Sequence, residues 1–324
     1  MHVDDSLLAH VEDTRRFNEQ YMAAMAASPL GFATAEDALR TRAVLDAAVA
    51  PLAPERLQPQ VLHVGAATPA VEVRVFVPER PQGVCVEFHA GAWIIGSAKA
   101  GDDRSAEIAE RCSVTVVSVE YRMVPEALPP AQLEDALNVI EWVRTDGRAV
   151  VGDGPIVLIG ESAGSTLAVL TLLSLREQGT LGSDIVGAAL AYGLYDVSGG
   201  PSQRLDAGAL AVFNDAQLLV YPGLTIEQRR VPSISPLYAD LSSLPPALFS
   251  VGTADALIDD TLFMYERWSA AGNSAQLDVY PESMHGFDMF PTTMAAEARR
   301  RIDAFITARL GAAPQPPARA EANV

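Results

Sequence analysis

From about Glu72 onward, short β-rich apolar runs alternate with stretches whose apolar residues recur at helical spacing. Such alternation marks a largely parallel sheet covered by helices on both faces. Strands are predicted at Val71 to Val77, Val84 to Phe88, Val114 to Val119, Pro155 to Gly160, Val186 to Tyr192, Ala247 to Gly252 and Ala275 to Tyr280. Helices are predicted at Asp102 to Arg111, Ala131 to Arg144, Ser162 to Gln178, Asp259 to Ala271 and Thr293 to Leu310. An eighth strand, Val61 to Val64, lies too close to Val71 for a crossover helix, so this pair is expected to run antiparallel.

Two segments fall outside the rhythm. Met1 to about Ala50 is helical in pattern, with Leu7, Leu8, Val11, Phe17 and Tyr21 as apolar positions. Gly199 to about Ser235 interrupts the strand order with Leu205, Leu210, Val212, Phe213, Leu218, Leu219 and Tyr221. Both are expected to cap the carboxyl ends of the strands, where open α/β sheets place their sites; ordinary packing helices are the alternative. The expected division is N-terminal cap helices over 1–50, a core over 51–198, a cap insertion over 199–235 and the rest of the core over 236–310. Residues 311–324, rich in Ala and Pro without periodicity, read as a flexible tail.

With 324 residues, 49% of them hydrophobic, the chain can bury the core of one large elaborated domain. A net charge of -18 argues against a nucleic-acid partner, which demands clustered Lys and Arg, and against anionic membrane surfaces. No run approaches the ~18 apolar residues of a spanning helix. The first residues carry Asp4, Asp5, Glu12, Asp13 and Arg15 with no apolar secretory core, so a cytoplasmic protein is expected. Cys85 and Cys112 sit in or beside apolar strand-like runs and are expected to be buried, reduced and unreactive. No histidine pair has metal-ligand spacing, which leaves a metal-dependent hydrolase unsupported.

Gly160-Glu161-Ser162-Ala163-Gly164 spells GxSxG. A bare match arises by chance in roughly one chain in ten of this length, so the context carries the reading. The motif follows the apolar strand Ile156-Val157-Leu158-Ile159 and opens a helix continuing through Leu167, Val169, Leu170 and Leu173. That describes a nucleophile elbow, a strained turn whose flanking glycines remove clashing side chains, with the positive end of the following helix close by. The null is a structural turn serine.

A serine hydroxyl needs a general base to attack a carbonyl, and with this elbow the expected order is Ser, then Asp or Glu, then His. Only His285 lies after Ser162 among the five histidines, in a loop following the last predicted strand. The orienting acid belongs after strand Leu248-Phe249-Ser250-Val251, where Asp255 is nearest the strand end. Asp259 and Asp260 are expected to cap or charge the first turn of the next helix. Asp196 is the outside candidate.

After strand Val84 to Phe88 comes His89-Ala90-Gly91-Ala92-Trp93. Small residues here let backbone N–H groups approach a developing oxyanion, each donor contributing ~3 kcal/mol. Gly91, Ala92 and Ala163 are the expected donors, and His89 is expected to brace the loop. Trp93 is placed either in the substrate pocket or in the core; Glu161, Phe213 and Leu257 are the other pocket candidates.

These motifs resemble the hormone-sensitive-lipase-like esterases of the α/β-hydrolase superfamily over about His63 to Leu310. Their His-Gly-Gly-Gly-aromatic loop is similar to His89 through Trp93, and their Tyr-Arg-Leu-Ala-Pro-Glu segment resembles Tyr121 to Glu126. Their Gly-Asp-Ser-Ala-Gly elbow matches Gly160 to Gly164 with Glu161 for Asp. Asp-Pro-Leu-x-Asp corresponds to Asp255 to Asp259, and His-Gly-Phe to His285-Gly286-Phe287. The resemblance implies a capped α/β-hydrolase without cofactor, cleaving carboxylic esters of short or medium acyl chains, and a homodimer through the sheet edge near the last strand. Two departures matter: Ala90 and Ala92 replace family glycines, and alanine tolerates positive φ poorly. The same triad serves amidases, lactonases and deacetylases. A non-catalytic ligand-binding relative commonly lacks the histidine, which this chain retains.

Overall fold

In the computed structural model the described residues are 3–27, 31–65, 70–205 and 207–312. Eight strands form one sheet: β1 (Gln60–Val64), β2 (Val71–Phe76), β3 (Val84–Phe88), β4 (Thr115–Glu120), β5 (Ile156–Glu161), β6 (Ile185–Ala191), β7 (Ala247–Gly252) and β8 (Ala275–Tyr280), in the spatial order β1-β2-β4-β3-β5-β6-β7-β8. The pairings β1/β2 and β2/β4 are antiparallel and all others parallel. The short β1–β2 link forces the first pairing, and parallel strands need the crossovers that the helices supply.

The helices are α1 (Val11–Ala27), α2 (Ala35–Ala48), α3 (Asp102–Cys112), α4 (Ala131–Arg144), α5 (Arg148–Val151), α6 (Ala163–Glu177), α7 (Ala207–Val220), α8 (Ile226–Arg229), α9 (Ile258–Ala270) and α10 (Thr293–Ala312). The last runs two residues into the expected tail; residues 313–324 lie outside the described residues. β3 and β5 are covered on both sides, which is why they read as continuous apolar runs rather than alternating ones. Their even-numbered residues, Val84, Val86, Phe88, Ile156 and Leu158, share a core with α4 and α6, to which α9 adds Met264 and Trp268. Cys85, Val157 and Ile159 point into a second core with α3 and α10. Both cysteines are free and buried, and burial pushes both thiols above their ordinary value.

The two segments outside the strand rhythm are helical. α1 packs on α10 and on the loop after β8, where Phe290 meets Phe17 at 4.7 Å and Tyr21 at 4.9 Å between ring centroids. α7 and α8 occupy the excursion between β6 and β7.

Candidate active site

The turn at Ser162 is built from its glycines. Ser162, between β5 and α6, has φ 52° and ψ -117°, a conformation costly for a residue with a Cβ. Ser162 N donates to Ala191 O and Ser165 Oγ to Gly160 O, so hydrogen bonds hold the turn in place. A Cβ on Gly164 would lie 1.9 Å from Phe88 O, and one on Gly160 2.5 Å from Gly164 O. Only glycine lets α6 start this close to the end of β3.

His285 brings the elements together. Its Nε2 lies 2.8 Å from Ser162 Oγ, and its Nδ1 lies 3.0 and 3.1 Å from the two Asp255 carboxylate oxygens. Asp255 follows β7 and its side chain is fully buried, with one oxygen also accepting from Leu257 N. Burial works against a charged imidazole, but the charge and hydrogen bonding of Asp255, reinforced by Asp288 and Asp260, outweigh it and hold His285 above its ordinary value. The ring keeps an open edge, 42% of the side chain.

Opposite the serine, the backbone turns through Gly91 (φ 129°), Ala92 (φ 54°) and Trp93 (φ 62°). Ala92 therefore does adopt the positive φ that its methyl disfavours. Ile94 N and Ile95 N both donate to Gly91 O and close the loop. The N–H groups of Gly91, Ala92 and Ala163 have no acceptor among the described residues. A Cβ on Gly91 would fall 1.8 Å from Ile95 O, so Gly91→Ala must open this turn. We expect it to lower kcat by about 10²–10³-fold, measured by steady-state kinetics alongside circular dichroism to verify folding.

His89 stacks on Tyr121 at 4.1 Å between centroids, its Nδ1 lies 2.7 Å from Ala90 O, and Tyr121 Oη donates to His89 O at 2.7 Å. Burial pulls its pKa down to about 4, so it is neutral and donates to Ala90. Trp93 is buried and meets Tyr221 edge-on at 6.3 Å. Phe213 and Leu257 are partly buried against the same core.

Two expectations are revised and a third is extended. Glu161 lies on the α3 and α10 side of the sheet, because it shares the β5 face of Ile159; it borders a small void with Arg104, Ile108 and Ile302. Burial, with the Asp288 charge nearby, pushes its carboxyl well above the usual range. Asp259 and Asp260 stand in the first turn of α9, as expected, and also bind the excursion after β6: Asp260 accepts from Tyr195 N, Asp196 N and Gln203 Nε2, and Asp259 from Ser202 N. Asp196 is engaged by Ser198 and Tyr238 rather than by His285.

Several residues at the site went unread in the sequence. Arg42 of α2 donates to Ile94 O and Val124 O and pairs with Glu126, tying α2 to the oxyanion loop. Asn18 and Arg15 of α1 bind the backbone carbonyl and carboxylate of Glu282, whose N–H donates to Thr253 Oγ1. Glu282 thus links α1, the loop bearing Asp255 and the loop bearing His285. Tyr192 meets His285 edge-on, with 5.0 Å between ring centroids, and donates to Asp288. These contacts span up to 267 residues of sequence and follow no local spacing. A cleft of about 840 Å³ opens elsewhere, between Arg204, Arg230, Tyr238, Phe263 and Arg267, and holds none of the three central side chains. No cluster of metal-ligating side chains occurs among the described residues.

A strained serine between strand and helix, bonded to a histidine that a buried aspartate orients, on a mostly parallel eight-stranded sheet, defines an α/β-hydrolase. A family model described as alpha/beta hydrolase fold matches residues 85–289. The chain belongs to that family, in its hormone-sensitive-lipase-like group. It is 32% identical over 240 residues to the carboxylesterase NlhH of Mycobacterium tuberculosis, covering 70% of this chain and 74% of the relative. The esterase LipI of the same species is 32% identical over 214 residues, covering 63% and 65%. Among solved structures, a bacterial heroin esterase aligns with a TM-score of 0.79 at 25% identity, covering 89% of this chain and 96% of that one. An esterase of the bacterial hormone-sensitive lipase family aligns with a TM-score of 0.75 at 26% identity, covering 96% and 100%.

Proposed function

We propose that this protein is a serine carboxylester hydrolase that cleaves short- to medium-chain acyl esters through an acyl-enzyme on Ser162. The observation that carries the proposal is His285 held between Ser162 Oγ and Asp255, together with the Gly91, Ala92 and Ala163 amides, which have no acceptor among the described residues. Relatives named carboxylesterase and esterase support the ester bond as target.

Ser162 Oγ attacks the ester carbonyl carbon while His285 Nε2 takes its proton. The oxygen that becomes negative is held by the N–H groups of Gly91, Ala92 and Ala163, at the positive end of α6. Collapse breaks the ester C–O bond, and the alcohol leaves with the proton from Nε2. Water then attacks the acyl-enzyme, giving its proton to His285, which returns one to Ser162 as the acid departs. Asp255 holds the imidazole in the tautomer with Nδ1–H and stabilises its charged form. His89 braces the donor loop; Trp93, Phe213 and Leu257 border the substrate.

The base must be neutral to work, and the nearby carboxylates favour its charged form. The acidic limb of kcat/KM against pH should therefore have an apparent pKa above the ordinary histidine value of 6.5. A limb at or below 6.5 would remove His285 from this role. Parallel assays on p-nitrophenyl esters of graded acyl length, anilides and lactones test the bond and the chain length: ester turnover should lead, falling off beyond medium chains. Dominant anilide or lactone turnover would move the reading to an amidase or lactonase. No described helix is long and apolar enough to cross a membrane. A cytoplasmic location and a homodimer through the β8 edge complete the proposal; two free buried thiols support the first, and the position of β8 at the sheet's end supports the second.

A further inference from the structure

α7 turns one face toward the interior: Ala216, Gln217, Val220 and the following Tyr221 are buried, while Val212 and Leu218 face out. Tyr221 contacts Trp93, which directly follows the Gly91 and Ala92 amides. One turn before Gln217, the Phe213 ring lies 3.6 Å from the point where a Cβ on Gly199 would sit, and Gln203 Oε1 lies 3.6 Å from the same point. Gln217 therefore lies one helical turn after Phe213 and one before Tyr221, the residue that meets Trp93.

Its side chain is anomalous. Gln217 is 1% exposed, yet neither Oε1 nor Nε2 has a hydrogen-bond partner among the described residues; Gln203 Oε1, equally buried, has none either. A buried amide atom without a partner is destabilising, and leucine or methionine would fill this position without that cost. A ligand that brings the missing donor and acceptor recovers the loss, and a site built this way discriminates against analogues that lack them.

We infer that Gln217 is a specificity residue that hydrogen-bonds a neutral polar group of the substrate remote from the scissile carbonyl. The group complementary to a free primary amide both donates and accepts, as a hydroxyl or a secondary amide does. A neutral group fits better than a carboxylate, since α7 carries no Lys or Arg. The substrate class is thus a hydroxy- or amido-substituted ester rather than a plain alkyl ester, an inference that rests on the esterase reading above.

Matched pairs test it on both sides of the bond: p-nitrophenyl 3-hydroxybutyrate against p-nitrophenyl butyrate, and 2-acetamidoethyl butyrate against butyl butyrate. In at least one pair the ratio of kcat/KM, polar over plain, should fall about tenfold from the wild type to Gln217→Met, with Gln217→Leu behaving alike. Both variants should melt above the wild type, because the orphan amide is gone. Ratios unchanged in both pairs overturn the inference whatever the melting temperatures, as does a melting point lowered in both variants without a change of ratio. If the wild type cleaves all four esters through Ser162 with unaltered ratios, only the role of Gln217 falls. An enzyme inert toward all four overturns the esterase reading as well.

Discussion

Replacing Ser162 with alanine should lower p-nitrophenyl butyrate turnover by about 10⁴–10⁶-fold, leaving only what the donor loop and binding achieve without a nucleophile. Among the described residues the hydroxyl bonds to His285 alone, so its loss removes little that holds the fold together. Backbone contacts fix the turn itself: Ser162 N on Ala191 O, with Gly160 and Gly164 allowing β3 and α6 to approach. The variant should therefore unfold close to the wild-type temperature, which separates lost chemistry from lost structure. Retained turnover would mean that another group forms the acyl bond.

Asp255→Asn should cost about 10⁴-fold in kcat. Asparagine keeps the shape, and its carbonyl oxygen can still accept from Leu257 N. Its neutral side chain no longer stabilises the imidazolium and allows the tautomer that cannot take the serine proton. The sign of the accompanying pH effect follows from the charge. Asp255 helps to hold His285 above its ordinary value, so without it the acidic limb should move to lower pH. A pH-rate profile for the residual activity checks this, and a limb displaced upward would contradict the role given to Asp255.

The fold was legible because its signals are local. β5 and α6 announce themselves through an unbroken apolar run and a GxSxG turn between them, and β1 through a link too short for a crossover. His285 and Asp255 were readable for a related reason: each follows a strand, and the order of the elements restricts the choice. What sequence could not supply was direction and long-range contact. Glu161 neighbours the serine in the chain yet points to the opposite side of the sheet, a consequence of strand alternation continuing one residue past Gly160. Asp260 stands in the first turn of α9 as its position suggests, but that the backbone after β6 arrives beside it and donates to its carboxylate had no local signal. Arg42 and Asn18 lie in helices with no motif of their own, and they become meaningful only once α2 and α1 are laid against the two loops they hold. An unpartnered Gln217 is likewise invisible until burial is known.

The convergence of Ser162, His285 and Asp255 is tested most directly by covalent labelling with a phosphonate fluoride, followed by intact-mass and peptide mass spectrometry. Inactivation should track the addition of one phosphonyl group per chain, located on the peptide containing Ser162, and Asp255→Asn should slow the labelling by orders of magnitude. Full inactivation with the adduct on any other residue, or esterase activity that persists while Ser162 is fully modified, would contradict it.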